Sequence, residues 1–319
     1  MSWDFYKGMG RKIYFGRCIF LSWYCERGTC KFCFRSTIKH KIKHSASAKR
    51  SLASIMTDAV IGRHMGWSIE FLTGGYGIFS FDEIVDIAKK VSRIYGKKIW
   101  LNLGVLNRYE LQRLQPYVEG VCASIETIEE KRHNELCPDK PIEPYEEMLQ
   151  TAKELGFKRS ITIVVGLENS IRDLDILHNF IKKHGIERIT FYALKPIKGS
   201  PFNESPGPEY YAEWIKRTRE EFPEIEIISG LTPKNPEYTK YVVRAGTDAI
   251  TKFPVLKKFN SEETRMIERM VKEEGFEFEG HLNELPDVDF HEEVANLDLE
   301  PGLKEKINEK IEQYLRKMR

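Results

Sequence analysis

"YFGRCIFLSWYCERGTCKFC" (residues 14–33) carries the decisive reading of this chain. Its first half, over 14–23, is apolar and rich in β-formers, the pattern of a buried strand. Directly after it come Cys25, Cys30 and Cys33, three thiols within nine positions. Soft thiolates at that density ask for zinc or an iron–sulfur cluster rather than a hard cation. Zinc takes four ligands, and His40 or His44 could be the fourth. Structural zinc is usually held by paired C-x2-C knuckles, however, and only the one at Cys30 and Cys33 occurs here. A 4Fe–4S cluster suits three cysteines better, because it bonds them through three irons and keeps the fourth open.

Outward from this stretch, short β-rich runs alternate with longer amphipathic segments. The further strands are "SIEFLT" (68–73), "KIWLNL" (98–103), "GVCASIE" (120–126), "RSITIVVG" (159–166), "RITFYAL" (188–194), "IEIISG" (225–230) and "DAITKF" (248–253). Between them, "SFDEIVDIAKKVSRIYG" (80–96) opens on a capping box, Ser80 with Glu83, and stops at Gly96. Eight strand–helix units imply a parallel sheet closed as a (β/α)8, TIM-like α/β barrel, with an open doubly wound sheet as the alternative. The cysteines then fall in the first βα-loop, on the face where barrel active sites collect. Residues 1–275 read as the barrel. Residues 276–319, acidic and turn-rich before a charged helix, read as a C-terminal extension packed on it.

The bulk numbers exclude several classes. A formal charge of +2 over 319 residues gives no field for nucleic acid. No apolar run is long enough to span a membrane. "MSWDFYKGMGRK" (1–12) lacks a leader's apolar core, so a cytoplasmic protein with metal-binding or catalytic thiols is expected, not disulfides. Many Lys and Glu beside only four Gln suggest a thermophilic source.

The cysteine stretch resembles the radical S-adenosylmethionine (SAM) superfamily, whose motif is C-x3-C-x2-C with an aromatic before the last Cys. Phe32 holds that aromatic place, while four residues separate Cys25 from Cys30. "TGGYG" (73–77) resembles the family's glycine motif for the SAM amino group, with Tyr76 where Glu is usual. "SIET" (124–127) offers Glu126 as a SAM contact. "VVGLEN" (164–169) resembles the motif flanking adenine, with Gly166 and an acidic residue one place early at Glu168. "LKPIKGSPF" (194–202) resembles a turn of the biotin synthase branch. The resemblance spans residues 12–280. It implies a 4Fe–4S cluster on Cys25, Cys30 and Cys33, SAM against Phe32, Gly74, Gly75, Glu126 and Gly166, and a one-electron reductant. The implied chemistry is hydrogen abstraction from an unactivated carbon. The resemblance assigns no catalytic side chain.

Cys18, Cys122 and Cys137 remain. Buried free cysteine often acts as a small hydrophobe. Cys137 could instead be a lone redox or hydrogen-donor thiol, or the three could hold a second 4Fe–4S cluster as sulfur donor. The positions matching the sulfur-donating cluster of biotin synthase are Leu72, Trp100, Ser160 and Glu226, which cannot ligate it. The closest resemblance is to the archaeal two-component lipoyl synthase, a sulfurtransferase. It implies sulfur insertion into an octanoyl chain on an acylated carrier protein, with a paralogous partner enzyme. The alternative resemblance, through "LSWYC" (21–25) and "TKFP" (251–254), is to the maturase that builds the guanylylpyridinol cofactor of iron-only hydrogenase, although its cysteines are spaced C-x5-C-x2-C. Outside enzymes, a zinc-stabilised binding module is the rival. The basic run "KHKIKHSASAKR" (39–50) reads as a solvated face or a dock for an acidic carrier. His133 reads as a helix-surface residue or a group near Cys137.

Overall fold

The computed structural model describes residues 12–318; the segment 1–11, on which the absence of a leader was read, lies outside them. Nine strands run in chain order: β1 Lys12–Phe20, β2 Ser68–Thr73, β3 Ile99–Asn102, β4 Val118–Glu126, β5 Lys158–Val165, β6 Arg188–Ala193, β7 Glu226–Gly230, β8 Ala249–Thr251 and β9 Glu277–Glu279. Neighbours from β2 to β8 pair in sequence order, β8 pairs with β1, and β1 returns to β2, all in parallel. The sheet is therefore a closed barrel, and the open doubly wound alternative fails. Strands covered on both faces need continuous apolar runs rather than alternation, which is how β1, β5 and β6 read.

Several strands end earlier than their apolar runs. β1 stops at Phe20 because the chain leaves the ladder: Ser22 forms an antiparallel bridge with Lys49. β8 is three residues long rather than six, because Lys252 turns to a left-handed φ of 61°. Phe253 stays buried beyond that turn, so burial there does not mean strand.

The capping box on helix Phe81–Tyr95 forms as read, and Gly96 closes it at φ 74°. Helix Leu52–His64 is tied to the wall by an ion triad. The buried Asp58 accepts from Arg17 Nη2 at 3.0 Å and from Arg50 Nη1 at 2.8 Å. Burial works to raise the Asp58 carboxyl pKa, but Arg17 and then Arg50 outweigh it and hold the carboxyl below its usual range. Arg50 Nη1 also donates to Phe20 O at 3.0 Å, which pins the end of β1 where the cysteine loop begins.

In the C-terminal stretch, β9 pairs with Lys12–Tyr14 at the start of β1. Trp67 Nε1 donates to His281 O at 3.0 Å. Helix Pro301–Met318 then packs on helix Leu52–His64 and buries Ile307, Ile311 and Met318.

Candidate active site

The cysteine loop is stitched to the turn after β2. Leu21 N donates to Thr73 O at 2.7 Å, Gly75 N to Ser22 Oγ at 3.2 Å, and Glu26 N to Tyr76 O at 3.0 Å. Tyr76 N donates to Cys25 Sγ at 3.3 Å, so the backbone already supplies a donor to a ligand-type sulfur. Gly75 is required by this approach: a Cβ there would stand 1.6 Å from the carbonyl oxygen of Tyr24. Cys33 N donates to Cys30 O at 3.1 Å, and Cys33 starts the short helix Phe34–Ile38. All three cysteines face one cavity of about 420 Å³ at the C-terminal mouth of the barrel.

Phe32, Gly74, Gly75, Ser124 and Glu126 line the same cavity. Glu126 ends β4 in a left-handed conformation, φ 68°, the kind of strain that concentrates at functional sites. Its carboxylate lies 3.0 Å from Lys140 Nζ. Gly166 does not reach the cavity. Its left-handed φ of 105° turns the chain, and Glu168 curls back to accept from Gly166 N at 2.7 Å.

The other three cysteines do not come together. Cys18 and Cys122 project inward from β1 and β4, as strand parity requires, and pack with Phe71 and Trp100. Cys18 Sγ donates to Glu70 Oε2 at 2.8 Å, and burial pushes both thiols up in pKa. Cys137 caps helix Glu130–Leu136 beyond the end of β4 and packs with Leu136, Val164, Leu167 and Leu194, against Cys30 and Phe32. Cys30 and Cys137 are both free thiols, and their interaction lowers the Cys30 pKa and raises that of Cys137. The set read as an auxiliary cluster is thus split between two packing groups, because a helix cap past the strand end cannot face the barrel axis. Among the described residues, no three His, Cys, Asp or Glu side chains converge as a single metal ion would require.

One further reading, His133 on the helix surface, is corrected, and that of the basic run is narrowed. His133 is buried, with Nδ1 3.1 Å from Thr127 O and Nε2 2.6 Å from Lys140 O, and so staples the loop that presents Lys140. Much of the basic run is spent internally: Arg50 on Asp58, Lys49 on Glu83, and Lys39 on the carbonyls of Glu26 and Arg27. His40, Lys41, Lys43 and His44 stay exposed.

Sequence reading missed the polar floor. The buried Glu70 carboxyl meets Cys18, Thr251, Thr190 at 3.2 Å and the Tyr192 hydroxyl at 2.9 Å. Burial raises its pKa above the usual carboxyl range despite these bonds. Its only signal was an acidic residue inside the apolar run of β2.

The donor set fits a cluster better than a lone ion. It offers three thiols around a roomy cavity, a backbone N–H aimed at one of them, and a glycine turn that leaves backbone free beside them.

Comparison with known proteins agrees with this geometry. The family described as "Radical SAM superfamily" matches residues 21–181. An uncharacterized protein of Methanocaldococcus jannaschii is 34% identical over 98% of this chain and 91% of its own length. The biotin synthase of Parabacteroides distasonis is 28% identical over 39% of this chain and 38% of that enzyme, so this likeness is partial. Among solved structures, methylornithine synthase superposes with a TM-score of 0.69 at 16% identity, over 86% of this chain and 85% of that one. The chain belongs to the radical SAM superfamily, which uses a 4Fe–4S cluster and SAM.

Proposed function

We propose that this chain is a one-cluster radical SAM enzyme acting on a small substrate inside the barrel mouth. Cys25, Cys30 and Cys33 would hold the cluster. The Gly74–Tyr76 backbone, Glu126 and Phe32 would face SAM. With both groups bound, the chemistry supplied is one-electron cleavage of a sulfonium and hydrogen abstraction from an unactivated carbon. The chain's own residues do the rest. Tyr76 N–H stabilises charge on Cys25 sulfur, and Lys140 holds the Glu126 side chain in place at the cavity edge. Aromatic walls at Phe20, Phe71 and Tyr192 keep water from a reactive intermediate.

The observation that carries this reading is the convergence of the three cysteines, the glycine turn and Glu126 on one cavity. The separation of Cys137 from Cys18 and Cys122 weighs against a second cluster. That puts a maturase, with one cluster, ahead of sulfur insertion on a carrier-bound octanoyl chain.

Iron and labile sulfide per chain, after anaerobic reconstitution, test it. About four irons are expected, falling to none in the Cys25→Ala/Cys30→Ala/Cys33→Ala variant, with 5′-deoxyadenosine formed from SAM under strong reductant. About eight irons, falling to about four, would restore the lipoyl-synthase-like reading with its carrier and partner enzyme. An iron-free, colourless protein would overturn both.

A further inference from the structure

The last barrel strand ends on a cation with no counter-charge. Lys252 follows β8 in a left-handed conformation that a lysine adopts at a cost, and its side chain lines the cavity. Its Nζ lies 4.2 Å from the centroid of the Tyr192 ring. Among the described residues it makes no ion pair and no hydrogen bond.

The carboxylates near it are already engaged. Glu126 is paired with Lys140 at 3.0 Å. Glu70 is surrounded by four side-chain partners, and its burial favours the protonated carboxyl. Thr251 has one hydroxyl proton, yet it contacts both Gly16 O, at 2.8 Å, and Glu70. A protonated Glu70 resolves that conflict, and the raised pKa of this carboxyl agrees. The Lys252 side chain is exposed to the open cavity, so water solvates the ammonium there; a substrate that fills the cavity displaces that water, and an anionic group on it would offset the loss.

We infer that the substrate carries an anionic oxygen headgroup, a carboxylate or a phosphate, which Lys252 receives at the end of β8. The substrate's apolar body lies against Phe20, Phe71, Leu194 and Ile197, which wall the same cavity. This rests on the reading of the cavity as the substrate site of a radical SAM enzyme. SAM has a carboxylate of its own, so the two sources must be separated.

The test is calorimetric titration of the cluster-loaded, SAM-saturated protein with hexanoate, phenyl phosphate and the neutral hexanamide. At least one anion is expected to bind about tenfold more tightly than the amide. Lys252→Met should abolish that preference and Lys252→Arg should keep it, while neither moves the Kd for SAM by more than about twofold. Equal binding of anions and amide, or no anion binding at about 10 mM, overturns the inference. So does a Lys252→Met variant that loses about tenfold in SAM affinity, because the lysine then serves SAM's carboxylate. A protein that takes up neither iron nor SAM, yet keeps a Lys252-dependent anion preference, refutes the radical reading and leaves the anion site standing.

Discussion

At Gly75 the backbone of one loop lies where a methyl group would have to be. Gly75→Ala would drive a carbon to within 1.6 Å of Tyr24 O, so the cysteine loop or the glycine turn must move. The expected result is a protein that still folds but binds SAM about tenfold more weakly, since a displaced backbone costs positioning rather than the core. Equilibrium dialysis of SAM against the reconstituted variant measures this; unchanged affinity would detach the turn from SAM. Gly75 was legible because a glycine pair at a strand end signals close approach. The cysteines were legible from their spacing alone. Glu70, Lys140 and Lys252 were not, because a charge inside a barrel is defined by partners brought from other strands. Local sequence carries no trace of the fact that Lys140 serves Glu126 while Lys252 is left alone.

At the scale of the element, what was local was readable. The Ser80 capping box and the Gly96 stop needed only their own turn of helix. Strand lengths were less so, since the apolar run through Phe253 continues after the ladder has ended at Thr251. The distance of Cys137 from Cys18 and Cys122 was not legible for a related reason: parity predicts side-chain direction within β4 but says nothing once the chain has entered helix Glu130–Leu136. As found, Cys137 sits against Cys30 and donates to it. Cys137→Ala should therefore leave the iron content at about four per chain while removing a bond that favours the Cys30 thiolate. In the cluster-free protein the Cys30 pKa should rise, and its alkylation by iodoacetamide near neutral pH should slow several-fold. Mass spectrometry of the Cys30 peptide reads the rate; an unchanged rate would show that the two thiols do not interact.

Across the whole molecule, the barrel and its outer layer are joined by charges as well as by apolar contact. Asp58 ionises at lower pH in the folded chain than in the unfolded one, where it has a pKa of about 3.9. The triad with Arg17 and Arg50 therefore contributes fully above that value, and its contribution is lost as pH falls through it toward the folded pKa. Asp58→Asn should cost about 3–5 kcal/mol at neutral pH, because two half-buried guanidinium groups lose their buried partner. It should also flatten the dependence of stability on pH below about 4. Urea midpoints at several pH values compare the two proteins; an equally steep acid limb in the variant would remove Asp58 as its source. The closed barrel itself was legible in the order of eight strand–helix units, since parallel strands joined by helices have few ways to cover both faces. The triad was not, because its members look like ordinary surface charges until the helix is laid on the wall.

The parallel pairing of β8 with β1 also sets an order in time. The cysteine loop leaves the ribosome about 220 residues before Thr251, and at about 5–20 residues per second that interval is on the order of 10–40 s. For that period the three thiols exist without the wall that encloses them. They are open to oxygen and to stray metal, and equally to whatever delivers iron. A barrel that closes with its last strand is one whose cofactor pocket is finished only once that strand has emerged.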